Sequence, residues 1–295
     1  MITRRELLTG LGCSILTGDL RAGPSVTLPL TRTKTRLATV PVTIGRTAAN
    51  FVLDTGAGGS LVASEMLSRL PAEDFEIQAA GSVSASGGSA AVRRVLIHSL
   101  AISPGVHEPI EANSLPFAPF RDQFGAGVDG VLGMDVVGRY DPIFDFHAQR
   151  LYLFAPATSP LHGDIAMEPA EYHRIQFSGS LNGRSVTATL DTGSVQSGVN
   201  WLAAEQAGIT RTSPGLREKV TITGIDNTPR LVHEFEFKEL GIGPRRWRSL
   251  TLVIADLFAF DAMHLNHTPA INLGMDVWDN HQIVVSFSMR RLSIR

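Results

Sequence analysis

The chain repeats itself, and that repeat constrains its fold more than any other feature. Asp54-Thr55-Gly56 recurs as Asp191-Thr192-Gly193, 137 residues further on. A second element follows each copy in the same order, Gly130-Val131-Leu132-Gly133-Met134-Asp135 and then Ile271-Asn272-Leu273-Gly274-Met275-Asp276, at an offset of 141. The second offset also carries Phe146, Arg150 and Leu151 onto Phe287, Arg291 and Leu292. Two motifs and a strand pair in matching order indicate a duplicated fold.

The Gly-, Pro- and Ser-rich stretch at 155–164 reads as a linker, which divides the chain into lobes at 36–154 and 165–295. Each lobe is written in short alternating runs such as Val40-Pro41-Val42-Thr43-Ile44, punctuated by turn residues at close intervals. That pattern predicts an all-β fold of two homologous lobes. Gly45-Arg46 and Asn182-Gly183-Arg184 predict hairpin turns feeding the two Asp-Thr-Gly motifs. Helical segments are expected at 63–70 and 201–207, just after the motifs, with a short helix after each Gly-Met-Asp. Hairpins are expected at 81–92 and 220–232, where they would act as flaps over a shared cleft.

The first 23 residues stand apart. Arg4-Arg5 precedes a short apolar run and then Asp19-Leu20-Arg21-Ala22-Gly23, the layout of a signal peptide of twin-arginine type. This implies export to the periplasm or secretion; the alternative is a short amphipathic helix on a cytoplasmic protein. Cys13, the single cysteine, lies inside this segment, so the remainder has no disulfide and no thiolate metal cluster. Gly10 stands where a lipoprotein signal has a bulky aliphatic residue, which weakens an anchor at Cys13. Elsewhere no apolar run approaches the ~20 residues that span a bilayer, so no integral membrane span is expected. With a net charge of −2 and no basic run, nucleic acid is not an expected partner. His264 and His267 have no completing ligands at metal-site spacing, and the Gly58-Gly59-Ser60 run lacks the spacing and lysine of a phosphate loop. No metal or cofactor is expected.

Two facing carboxyls can hydrolyse a peptide without a metal. When they lie close they cannot both ionise, so one holds a proton to give and the other is free to take one. Asp-Thr-Gly suits such a pair: the glycine lets the backbone approach the carboxylate, and the threonine hydroxyl can bond across to the partner loop. One copy alone reads equally well as an ordinary turn. The force of the pattern lies in two copies with matched elements downstream.

Leu53-Asp54-Thr55-Gly56-Ala57, Leu190-Asp191-Thr192-Gly193-Ser194 and the later elements ending in Gly133 and Gly274 together resemble the aspartic peptidases of the retropepsin-like branch. The resemblance implies a β barrel in each lobe, with Asp54 and Asp191 as the catalytic pair in the cleft between them. It implies Thr55 and Thr192 as cross-linking hydroxyls, Gly56, Ala57, Gly193 and Ser194 as support for the dyad, and Gly133 and Gly274 as support for its loops. A peptide or protein substrate follows, with a monomer sufficient for activity because one chain supplies both halves. A peptide-binding protein that keeps the duplicated fold without turnover is the alternative. Asn272 departs from the family pattern, being polar where an aliphatic residue is usual. Pepsin-like enzymes carry a flap tyrosine, whereas Tyr140, Tyr152 and Tyr172 fall elsewhere, which favours the retropepsin-like branch. Ser194 has a hydroxyl where Ala57 has none, so Asp191 is expected to be the ionised partner and Asp54 the protonated one. Asp135 and Asp276 are expected to support loops.

Overall fold

The computed structural model describes residues 23–85, 88–103, 106–125, 127–223 and 229–295. Residues 1–22, with Cys13 among them, and the tips of both expected flaps lie outside the described residues. The fold is mostly β and two-lobed, as the repeat predicts.

Each lobe is organised around a hairpin that ends in Asp-Thr-Gly. Ala38–Ile44 pairs antiparallel with Thr47–Leu53, and Gln176–Leu181 with Arg184–Leu190. Their two-residue turns have the backbone such hairpins require, with Gly45 at φ 58° in the first and Asn182 and Gly183 at φ 48° and 77° in the second. The outgoing strands end in three consecutive buried residues, Phe51-Val52-Leu53 and Ala188-Thr189-Leu190, because each becomes a central strand covered on both faces. Gly130–Leu132 and Ala270–Leu273 run parallel beside these strands and antiparallel to Leu61–Ala63 and Gly198–Val199 respectively. Both aspartates thus emerge at strand ends, fixed by Asp54 N–H donating to Leu132 O at 3.0 Å and Asp191 N–H to Leu273 O at 2.9 Å.

The short helices fall where expected, at Ser64–Leu67, Trp201–Gln206, Met134–Val137 and Met275–Trp278. Asn200 caps the second of these with its side-chain oxygen accepting from Ala203 N–H at 2.9 Å. Arg121–Phe124 and Phe258–Ala262 are additional helices without a periodic signal long enough to read from sequence.

The lobes are not joined by the linker alone. A floor of six strands runs Val26–Pro29, Arg150–Phe154, Asp141–Asp145, Gln282–Ser286, Arg291–Ile294 and Ile165–Glu168, three from each half of the chain. Its central pairing sets Ile143 against Val284. Gln282 Nε2 donates to Asp145 Oδ2 at 2.6 Å, and Phe287 N–H and the Ser286 hydroxyl donate to Asp141 at 2.8 and 3.0 Å, which satisfies carboxylates at the seam. Val26–Pro29 lies before residue 36, so the floor under the first lobe begins upstream of the repeat unit legible in sequence.

The expected flap segments are hairpins, Phe75–Ala85 with Gly88–Ser103 and Arg217–Thr223 with Pro229–Ile242. The strand Phe75–Ala85 of the first lobe lies beside helix Phe258–Ala262 of the second. No described helix is long and apolar enough to cross a membrane.

Candidate active site

The two Asp-Thr-Gly loops are locked together by their threonines. Thr55 Oγ1 donates to Leu190 O at 2.7 Å and accepts from Thr192 N–H at 3.1 Å. Thr192 Oγ1 donates to Leu53 O at 2.7 Å and accepts from Thr55 N–H at 3.1 Å. Both threonines are fully buried, so each hydroxyl satisfies two backbone groups of the opposite lobe that water cannot reach.

The glycines are required by proximity. A Cβ on Gly56 would stand 2.6 Å from Asp191 Cγ, and one on Gly193 would overlap the Asp54 carboxyl. Each loop therefore leaves room for the other loop's acid. Gly133 and Gly274 do the same for the loop backbones, since a Cβ would meet Ala57 O at 3.0 Å in the first lobe and Ser194 O at 2.8 Å in the second.

Ser60 and Ser197, not singled out from sequence, complete the scaffold. Ser60 Oγ donates to Asp135 at 2.7 Å and accepts from Gly133 N–H at 3.1 Å. Ser197 Oγ donates to Asp276 at 2.6 Å and accepts from Gly274 N–H at 2.9 Å. Asp135 and Asp276 thus brace the loops from behind, away from the paired acids. Burial pushes both carboxyls above the usual range, and the serine hydroxyls oppose it. The two serines recur at the 137-residue offset, a signal that reading the repeat residue by residue would have found.

The paired acids act on each other but are held differently. Asp54 Oδ1 accepts from Gly56 N–H at 2.8 Å and Ala57 N–H at 3.0 Å. Burial, and then the charge of Asp191, nevertheless raise Asp54 to about 8. Burial also raises Asp191, but the Asn272 amide, the Gly193 N–H, Asp54 and the Ser194 N–H all oppose the rise. Asp191 Oδ1 accepts from Gly193 N–H at 3.0 Å, and Oδ2 from Asn272 Nδ2 at 2.6 Å.

This corrects the expected part played by Ser194. Its hydroxyl donates to Gln196 O at 2.8 Å, a bond two residues along its own turn, and so is spent within the loop. The side chain that bonds Asp191 is Asn272, which sequence reading marked only as a departure from the family pattern.

Two further residues border the pair unannounced by any motif. Tyr172, at φ 56° and 62% exposed, packs against the first loop, where a Cβ on Gly58 would lie 2.8 Å from Tyr172 Cβ. Arg174 is half-buried, donates Nη1 to Ala262 O at 3.1 Å, and acts electrostatically on both aspartates. Two surface hollows are lined by other residues: one of about 410 Å³ surrounds Asn182 and Gly183, and another of about 340 Å³ lies between Trp201 and Phe258.

Two β lobes that each present an Asp-Thr-Gly loop to the other, crossed by reciprocal threonine bonds around a close acid pair, define the retropepsin-like aspartyl proteases. The family model described as aspartyl protease matches the chain twice, over residues 40–136 and 177–277, and the chain belongs to that family. No curated protein matches it.

Proposed function

We propose that the chain is an aspartic endopeptidase in which Asp54 and Asp191 activate one water between them. The observation that carries this reading is the pair itself: two close acids, one raised to about 8 and the other bonded by donors that suit a carboxylate. Asp191, ionised, takes a proton from water as its oxygen attacks the peptide carbonyl carbon. Asp54 gives its proton to the carbonyl oxygen. Collapse of the tetrahedral intermediate breaks the C–N bond, with a proton passing to the leaving nitrogen and the pair returning to its singly protonated state. The Thr55–Thr192 bonds hold the geometry, and Gly56 and Gly193 permit it. The hairpins ending in Ala85 and Thr223 serve as flaps that enclose the substrate.

One chain supplies both halves, so the monomer suffices. The paired arginines and apolar run at the N-terminus support export, which N-terminal sequencing of the native protein tests. Incubation of the mature chain with a diverse peptide pool across pH, beside Asp54→Asn and Asp191→Asn, tests the activity. Cleavage lost in either variant is expected. Binding without cleavage by the parent chain would instead identify a peptide-binding protein on a retained fold.

A further inference from the structure

The halves of the site differ at two buried positions that touch. In its parallel ladder the first lobe pairs Val52 with Val131, and the second pairs Thr189 with Asn272. All four residues are at most 3% exposed. Two polar side chains in a strand interior carry a desolvation cost unless they are bonded, and here they bond in series toward the acid pair. Thr189 Oγ1 donates to Asn272 Oδ1 at 2.6 Å, and Asn272 Nδ2 donates to Asp191 Oδ2 at 2.6 Å. The order suits a charged Asp191, because a carboxylate only accepts and the amide nitrogen faces it.

We propose that Asn272, anchored by Thr189, is a positioning residue that keeps Asp191 the charged member of the pair and leaves the shared proton on Asp54. The proposal rests on the peptidase reading and names the residue that divides its acid and base roles.

The donor count supports it. Each Asp191 oxygen accepts a donor, and both bonds are stronger to a charged carboxylate than to a neutral carboxyl. Asp54 takes its two amide donors on Oδ1, and among the described residues no other donor is found on its Oδ2, which leaves that oxygen to carry the proton. Neighbouring charges do not produce the asymmetry. Besides the acids themselves, Arg174 acts on both carboxyls and more on Asp54, which alone would favour the opposite assignment. Asp276, on the helix after Gly274, is engaged by Ser197. The hydroxyl of Ser194 is turned away. The second backbone amide on Asp54, from Ala57, also favours charge there, so the inequality that favours charge on Asp191 is the Thr189–Asn272 chain.

The test is the double variant Thr189→Val/Asn272→Val, which installs the first lobe's own residue pair in the second. Two readouts are taken on the full mature chain: the carboxylate infrared band that is absent from Asp191→Asn, followed across pH, and the pH dependence of kcat/KM. Loss of one hydrogen bond to a charged group is expected to raise the first ionisation of the pair by about one to two pH units, with the acidic limb of the rate profile following it. Thr189→Ser, which keeps the hydroxyl, is expected to titrate like the parent, whereas loss of core packing would not be rescued this way. A folded double variant with the parental midpoint overturns the proposal. Should circular dichroism show the double variant unfolded, Thr189→Val alone carries the test with a smaller upward shift, and no shift overturns it. A parent chain that cleaves nothing refutes the peptidase reading, while the infrared titration still decides the part played by Asn272.

Discussion

Replacing Thr192 with valine keeps the side-chain shape and removes one oxygen, which isolates the threonine grip from packing. That oxygen accepts from Thr55 N–H and donates to Leu53 O, so the variant orphans one buried donor and removes a donor from one buried carbonyl. An unsatisfied buried polar group costs about 1–3 kcal/mol, which puts the expected loss for the two at about 2–6 kcal/mol. Against a total stability of about 5–15 kcal/mol this is large. Thr192→Ser keeps both bonds and loses one methyl, an expected cost of about 1 kcal/mol. Thr55→Val is the internal control: its bonds have the same lengths, 2.7 and 3.1 Å, so its cost should match that of Thr192→Val within about 0.5 kcal/mol. Urea unfolding followed by tryptophan fluorescence measures all three. A Thr192→Val variant no less stable than Thr192→Ser would refute the reasoning, because the grip would then contribute nothing beyond its methyl group.

Gly193→Ala places a methyl into the Asp54 carboxyl and is expected to lower kcat/KM by about 100-fold or more, measured on any peptide the parent cleaves. Ser194→Ala is expected to leave the acidic limb of the rate profile in place, since its hydroxyl bonds Gln196 O; an upward shift would show that it reaches Asp191 after all. Stability should fall as pH rises between about 4 and 8. Asp54 keeps its proton in the folded state up to about 8 but loses it from 3.8 when unfolded, so the folded state binds more protons in that window. Urea midpoints at pH 5, 7 and 9 should therefore decline less steeply in Asp54→Asn, and an unchanged slope in that variant would count against a retained proton.

Much of the architecture could be read because the duplication displays each signal twice. The two Asp-Thr-Gly loops, the later glycines, the motif-flanking helices and the strands on either side of the expected flap tips all have counterparts in the structure. What escaped were contacts between residues remote in sequence and individually unremarkable. Thr189 and Asn272 are 83 residues apart, and neither announces a partner until the parallel ladder brings them together. Comparing the lobes position by position would have exposed the pair, since both depart from valine at once. Ser194 misled for the opposite reason: a hydroxyl beside an acid in sequence found a nearer acceptor in its own turn. Tyr172 and Arg174 escaped because they reach the site from outside the repeated motifs.

The central pairing of the floor has a consequence for ancestry. Ile143 and Val284 occupy equivalent positions in the two halves, at the 141-residue offset, and they face each other across an antiparallel pair. A position that meets its own counterpart marks a local two-fold axis, the geometry of an isologous contact between identical subunits. The seam retains the form of a homodimer interface inside a single polypeptide. Within one chain each half can differ, and Thr189 with Asn272 where the other half has Val52 with Val131 is an asymmetry that two identical subunits could not hold.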